Sequence, residues 1–130
     1  MFDWKKPTVQ MLGRWQPWHE GHRALFERCI AKTGQVIIQV RDVEGSSGGV
    51  GQNDNPFNWS EVCANIDNGL NSCGYKRGID YEIMLVPNIV NISFGRGVGY
   101  AFEEEQFDED INKISATKIR HKMRKQGKLK

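Results

Sequence analysis

The sequence has little of what marks several large classes of protein. No apolar run approaches the length needed to cross a bilayer, and the start of the chain lacks the apolar centre of a secretory signal. Its three cysteines are odd in number and lack metal-ligand spacing, which argues for a reducing compartment and against a disulfide framework. A net charge of +2 over 130 residues gives no argument for binding nucleic acid or a membrane. These absences predict a soluble, cytoplasmic protein with a single domain over residues 1–130.

The charges are unevenly placed along the chain. Residues 103–110 carry six acids, whereas residues 113–130 carry eight Lys or Arg and no acid. A basic tail of this kind is compatible with nucleic-acid contact, but a solvated helix face followed by a frayed terminus explains it more simply. We therefore predict that neither nucleic acid nor a membrane is a partner.

Strand-like and helix-like stretches alternate along the chain. Residues 8–15, 35–40 and 81–86 are nearly continuous apolar runs, as expected for strands buried on both faces. Helices are predicted over residues 21–32, 58–71 and 115–125, with Gly34 ending the first and Asn58 capping the second. Two further short strands are expected at residues 91–94 and within residues 100–107. This order predicts an α/β domain of three layers, α/β/α, with a mostly parallel sheet.

Polar residues follow the predicted strands. The run 13–22 follows the first strand, Arg41 and Asp42 follow the second, Asn88 follows the third, and Gly95 and Arg96 follow the expected fourth. Since ligands of open parallel sheets bind beyond the carboxyl ends of the strands, these residues are expected to share one site.

Two of the three histidines lie in one tetrapeptide, His19-Glu20-Gly21-His22, between the first strand and the first helix. A helix start offers free backbone N–H groups and a positive dipole end, which suit an anion. Imidazoles placed there can donate hydrogen bonds to phosphate oxygens. A zinc pair would need further ligands at suitable spacing, which the sequence does not offer; surface histidines without a role are the other alternative.

The run Gly13-Arg14-Trp15-Gln16-Pro17-Trp18-His19-Glu20-Gly21-His22 resembles the signature of the nucleotidyltransferase superfamily with the His-x-Gly-His motif. It is similar to the Gly-Arg-Phe-x-Pro-Phe-His-x-Gly-His form of archaeal-type nicotinamide mononucleotide adenylyltransferases, with tryptophans in place of the phenylalanines. The superfamily's second motif, Ile-Ser-x-Thr-x-x-Arg, is matched by residues 114–120, and Asn55-Pro56-Phe57 is a third likeness. The resemblance implies a Rossmann-like nucleotidyltransferase domain.

The resemblance also implies roles for particular residues. An acceptor oxygen attacks the α-phosphorus of a nucleoside triphosphate and pyrophosphate leaves, a reaction that needs charge neutralisation and alignment. The catalytic residues would be His19, His22 and Arg120. Nucleotide-binding residues would be Gly13, Arg14, Trp15, Gly21, Gly95, Arg96, Gly97, Ser115, Thr117 and Lys118. Acceptor-binding residues would be Arg14, Arg41 and Asp42. Mg²⁺ would act as the cofactor by bridging phosphates largely through water, without side-chain ligands.

Several alternatives stay open at the level of sequence. The segment 87–113 is shorter than in the adenylyltransferases and its aromatic pattern differs, which favours a compact enzyme using CTP and a phosphorylated or phosphonate acceptor over one using ATP and nicotinamide mononucleotide. A catalytically silent nucleotide-binding module is a third possibility. The indoles of Trp15 and Trp18 are as compatible with packing as with base stacking. The glycine-rich loop 43–55 is expected to cover the acceptor, and a homo-oligomer is possible.

Overall fold

The chain forms a small parallel sheet with helices against it. The computed structural model describes residues 1–45, 55–97, 99–107, 111 and 114–128. Its strands and helices follow the order β1 (Val9–Gly13), α1 (Glu20–Thr33), β2 (Val36–Arg41), α2 (Trp59–Asn71), β3 (Tyr81–Val86) and α3 (Ala116–Lys125). Each of the three predicted helices and the first three predicted strands is therefore present.

The sheet has the order β1-β2-β3 and all three strands run parallel. Val36 of β2 lies between Val9 of β1 and Tyr81 of β3, so the strands start level with one another. Parallel neighbours require crossover connections, which α1 and α2 provide. A parallel sheet flanked by helices is consistent with a Rossmann-like fold, and it confirms the predicted α/β class.

The core lies between the sheet and the apolar faces of the helices. Helix α1 contributes Phe26 and Cys29, while α2 contributes residues spaced three or four apart, as an amphipathic helix requires. Strand β2 alternates buried and partly exposed residues. The buried cluster comprises Met11, Trp15, Trp18, Phe26, Cys29, Val36, Ile38, Val40, Phe57, Val62, Ile66, Leu70, Tyr81 and Ile83.

The helix ends follow the predicted signals. Gly34 ends α1 in the left-handed conformation with φ of 85°, which glycine adopts without a steric penalty. Asn58 caps α2 in a capping box, accepting from the N–H of Glu61 at 2.9 Å while the Glu61 carboxylate accepts from the N–H of Asn58. Ser115 caps α3, again as the sequence predicts.

Two predicted strands are wrong. Residues 91–94 and the described part of 100–107 pair with no strand, and their apolar side chains are exposed, including Ile92, Phe94 and Phe102. Short strands depend on a partner and on burial, and these residues have instead a contact between the rings of Phe94 and Phe102, whose centroids lie 4.9 Å apart. The second segment is held to α1 by ion pairs of Lys32 with Glu103 and Glu105 and by a hydrogen bond from the Arg28 side chain to the carbonyl of Gln106.

Within the described part of the chain, none of the helices combines the length and the apolar character that a membrane crossing demands.

Candidate functional site: the imidazole pair at the start of α1

Helix α1 begins with the two motif histidines bonded to its first backbone groups. His19 is the N-cap, and its Nδ1 accepts a hydrogen bond from the N–H of Gly21 at 3.0 Å. The Nδ1 of His22 accepts from the N–H of His19 at 3.2 Å. A neutral imidazole that accepts at Nδ1 carries its hydrogen on Nε2. Both rings are thereby set to donate through Nε2 at the end of the helix that favours anions.

The two imidazoles are stacked on each other. Their centroids lie 3.6 Å apart and their planes differ by 19°. Burial, together with the smaller effect of the neighbouring His19, lowers the pKa of His22 to about 3. Burial also lowers the pKa of His19, against the opposing effect of Glu20. The pair therefore offers hydrogen-bond donors without positive charge at neutral pH.

Two indoles hold His22 in place. The ring centroid of Trp15 lies 4.7 Å from that of His22 in an edge-to-face contact, and the centroid of Trp18 lies 5.4 Å away. Trp15 adopts φ of 53°, a left-handed conformation uncommon outside glycine, and its Nε1 donates to the carbonyl of Gln39 at 3.0 Å. That turn ends β1 at Gly13, two residues before the predicted boundary. Both indoles are buried and belong to the core cluster, so they act in packing.

Two motif glycines make room for aromatic rings. A Cβ on Gly13 would lie 2.8 Å from the indole of Trp15, and a Cβ on Gly21 would lie 2.8 Å from Cε1 of His19. Both distances are shorter than ordinary contact, so any larger residue would displace the ring. The resemblance implied that Gly21 binds the nucleotide; the structure adds that the missing side chain of Gly21 leaves room for the ring of His19.

A buried amide that the sequence analysis did not single out joins the first motif to the start of α2. Gln16 donates through Nε2 to the carbonyl of Phe57 at 3.0 Å and accepts through Oε1 from the N–H of Phe57 at 2.8 Å. Beside it, Nη1 of Arg14 donates to Oδ1 of Asn55 at 3.2 Å. The likeness of residues 55–57 to the same enzymes was the available signal, but sequence alone does not show that they contact the first motif.

The second motif lies against the first. Ser115 Oγ accepts from the N–H of Lys118 at 3.4 Å, which leaves Thr117 and Lys118 exposed in the first turn of α3. The guanidinium of Arg120 is buried at 2% exposure and donates through Nη1 to the carbonyl of Gln16 at 2.5 Å and through Nη2 to Oγ1 of Thr117 at 3.3 Å. Arg120 therefore ties α3 to the first motif, a structural contact that the predicted catalytic role did not include.

The predicted acceptor residues lie at the carboxyl edge of the sheet. Gly13, the last residue of β1, pairs with Val40, so Arg14 follows the end of β1 beside Arg41, the last residue of β2. Nη2 of Arg41 donates to Oδ1 of Asn88 at 2.7 Å. Among the residues that the structure describes, Arg41 forms no ion pair, either with Asp42 or with Glu44. The carboxylate-bearing Asp42 is exposed.

The predicted base-contacting loop is not brought to the histidines. Gly95 and Arg96 line a cavity of about 950 Å³ that runs along β1, and neither motif contributes to its walls. Gly97 is exposed beside Phe94. The strand expected before this loop is absent, which removes the reason for placing it at the carboxyl edge. Most of the predicted acceptor flap, residues 46–54, lies outside the described part of the chain.

The described residues include no group of three or more His, Cys, Asp or Glu side chains placed to share a metal ion. These side chains therefore do not fit a metal held by the protein alone, and the zinc alternative for the histidine pair gains no support from them.

This α/β sheet with a histidine-capped helix has a nucleotidyltransferase-like relative. Over 76 residues the chain is 29% identical to the nicotinamide-nucleotide adenylyltransferase of Archaeoglobus fulgidus. The match covers 58% of this chain and 41% of that protein, so the chain spans about two fifths of the length of this relative. No family profile matches the chain. No solved structure matches it either. The likeness supports a nucleotidyltransferase-like family at a coarse level.

Proposed function

We propose that the protein transfers a nucleotidyl group from a nucleoside triphosphate to a phosphorylated or phosphonate small molecule. An oxygen of the acceptor forms a bond to the α-phosphorus while the bond from that phosphorus to the β-phosphate oxygen breaks, and pyrophosphate leaves. The observation that carries the proposal is the stacked pair of neutral imidazoles, each with Nδ1 taken by a backbone N–H at the start of α1. Such preorganised donors stabilise charge that develops on phosphate oxygens.

The other motif residues complete the proposed site. His19 and His22 donate to oxygens of the reacting phosphates, and the first turn of α3, with Thr117 and Lys118 exposed, meets the outer phosphates. Arg14 and Arg41, at neighbouring positions on the carboxyl edge, hold the anionic acceptor. Arg120 keeps the two motifs in contact through the carbonyl of Gln16.

Mg²⁺ enters this proposal only with the substrate. The described side chains offer no cluster of carboxylates to hold it, so the ion would be bound by the triphosphate oxygens and water. Everything that the chain itself does in the proposal is binding, alignment and hydrogen-bond donation.

The choice of nucleotide separates two candidates. The short segment 87–113 favours cytidylyl transfer from CTP. The activity named for the archaeal relative favours a second candidate, adenylyl transfer from ATP to nicotinamide mononucleotide.

Pyrophosphate release tests the proposal. The purified chain is mixed with Mg²⁺, each of the common nucleoside triphosphates, and acceptors that include glycerol 3-phosphate, phosphocholine, simple phosphonates and nicotinamide mononucleotide. Turnover that requires both substrates supports the proposal, and the productive pair identifies the enzyme. Nucleotide binding without turnover for any acceptor would favour a silent nucleotide-binding module, and absence of both would contradict the proposed function.

A further inference from the structure

We infer that Gly69 in α2 is a positioning residue for His22. Because Gly69 lacks a side chain, the indole of Trp18 can lie against α2 and contact the imidazole of His22. The inference deepens the proposed function and rests on it for its effect on turnover, although the contacts themselves are independent of any reaction.

Gly69 occupies a helical position that glycine does not favour. It lies in the last turn of α2, before the cap residue Ser72, and its φ is not among the positive values of the chain. Its backbone conformation is therefore one that alanine adopts more readily. Glycine lowers helix stability at this position, so a packing constraint must explain why Gly69 is there.

The constraint is a close approach by Trp18. A Cβ on Gly69 would lie 2.8 Å from Cδ1 and 3.0 Å from Nε1 of that indole. These atoms belong to a rigid ring that is itself buried, with 8% of the residue exposed, so the ring cannot swing into solvent to escape. Nε1 of Trp18 is also buried without a hydrogen-bond partner among the described residues, so no hydrogen bond fixes the indole and packing alone places it.

The position of Trp18 is transmitted to the histidine pair. Its ring centroid lies 5.2 Å from that of Trp15 and 5.4 Å from that of His22. His22 is in turn stacked at 3.6 Å on His19. A methyl group at position 69 would therefore displace the indole of Trp18, and that indole would in turn displace the imidazole of His22, which the proposed reaction uses.

The test compares Gly69→Ala with Asn68→Ala, a control at the exposed neighbouring position of α2. NMR of the imidazole protons reads the geometry directly, because indole ring currents shift the signals of His22. The chain has only three histidines, so the signals can be assigned by substitution. We expect Gly69→Ala to move the His22 signals and to lower kcat about tenfold with little change in KM, whereas Asn68→Ala leaves the His22 signals and kcat unchanged. Unmoved His22 signals together with a raised melting temperature in Gly69→Ala would overturn the inference, since free space at Gly69 would then let alanine stabilise the helix.

A second pair of variants keeps the test decisive if Gly69→Ala folds poorly. Trp18→Phe leaves space behind the smaller ring, so the same glycine substitution is expected to have a much smaller effect in the Trp18→Phe background. Equal effects in both backgrounds, including failure to fold in both, would contradict the coupling. If the wild type proves to have no transferase activity, the proposed function fails, but the NMR comparison still decides whether Gly69 positions His22 through Trp18.

Discussion

At the residue scale, the arrangement of His19 and His22 favours their neutral forms. Two stacked imidazoles repel each other when both are charged, and burial penalises charge on His22 in particular. The backbone N–H groups that each Nδ1 accepts fix the tautomer with the hydrogen on Nε2. A donor that keeps one tautomer needs no reorganisation when phosphate charge develops.

Replacing either histidine by alanine is expected to lower turnover about a hundredfold or more, because a preorganised donor to the developing charge is lost. The measurement is kcat for pyrophosphate release with the productive substrate pair. His121→Ala is the matched control, since His121 is exposed on α3 and no role is proposed for it. Turnover close to that of wild type in purified His19→Ala or His22→Ala would remove the imidazoles from the mechanism.

The lowered pKa of His22 predicts how stability depends on pH. The pKa is about 3 in the folded chain against 6.5 for an ordinary histidine, so the unfolded chain binds more protons between these values. The stabilising contribution of neutral His22 is therefore fully present above pH 6.5 and is lost progressively as the pH falls towards 3. At pH 5 the loss amounts to about 2 kcal/mol. Urea unfolding at pH 7 and pH 5 checks this: wild type should lose more stability than His22→Ala, and equal losses in the two proteins would contradict it.

Glycine and tryptophan positions show what sequence can and cannot reveal about single residues. The motif predicted Gly13, Trp15 and Gly21 as nucleotide-binding residues, and the structure places them with Trp18 at the junction of β1 and α1. The two glycines are required on steric grounds, because Gly13 leaves space for the ring of Trp15 and Gly21 for the ring of His19. Such contacts depend on the left-handed turn at Trp15, which nothing in the local pattern predicts.

At the scale of elements, hydrogen bonds between distant segments hold the first motif in place. Gln16 makes two bonds to the backbone of Phe57, and Arg120 reaches the carbonyl of Gln16 from α3. The loop that carries the histidines is thus fixed from the start of α2 on one side and from α3 on the other. In the proposed reaction, a loop held by such bonds would present its hydrogen-bond donors without rearrangement, as electrostatic catalysis requires.

Gln16→Ala is expected to lower the free energy of unfolding by about 2 kcal/mol, because the buried N–H and C=O of Phe57 lose their partner. Urea denaturation measures the change. Gln10→Ala is the control, since Gln10 on β1 is exposed and its bond to Gln39 lies at the surface; we expect less than about 0.5 kcal/mol there. Similar small effects for both glutamines would show that the amide of Gln16 does not hold the loop.

Arg120→Lys tests the tie between α3 and the first motif. A lysine ammonium keeps the charge but cannot reproduce the fork that reaches both Gln16 and Thr117. We expect a loss of about 2 kcal/mol in stability and a raised KM for the nucleotide, measured by urea denaturation and by initial rates. Lys125→Arg, an exposed exchange in the same helix, serves as the control. A raised KM with unchanged stability would assign Arg120 to phosphate binding without a structural role.

At the scale of the whole molecule, the sequence predicts those strands and helices that pack against their neighbours along the chain. The unit β1-α1-β2 and the capping box at Asn58 follow from local pattern, and their bounds were predicted within two residues. Residues 91–94 have a strand-like pattern too, but a strand there would need a partner that the sequence cannot guarantee. In the structure, ion pairs of Lys32 with Glu103 and Glu105 hold the following segment against α1. Such side-chain contacts leave no periodic pattern in the sequence from which they could be predicted.

The whole-molecule charge distribution predicts that nucleic acid is not a partner. Helix α3 carries five of the eight basic residues of 113–130, and one of them, Arg120, is buried. The acids of residues 103–105 lie elsewhere on the same chain and help to keep the net charge at +2. Nucleic-acid binding draws its affinity from many phosphate contacts and weakens steeply with salt. A labelled oligonucleotide titrated at about 50 and 200 mM salt should therefore show at most weak binding that the higher concentration abolishes, while nucleoside triphosphate binding at the helix start persists. Tight oligonucleotide binding that survives the higher salt would show that the basic face of α3 is a binding surface rather than a solvated one.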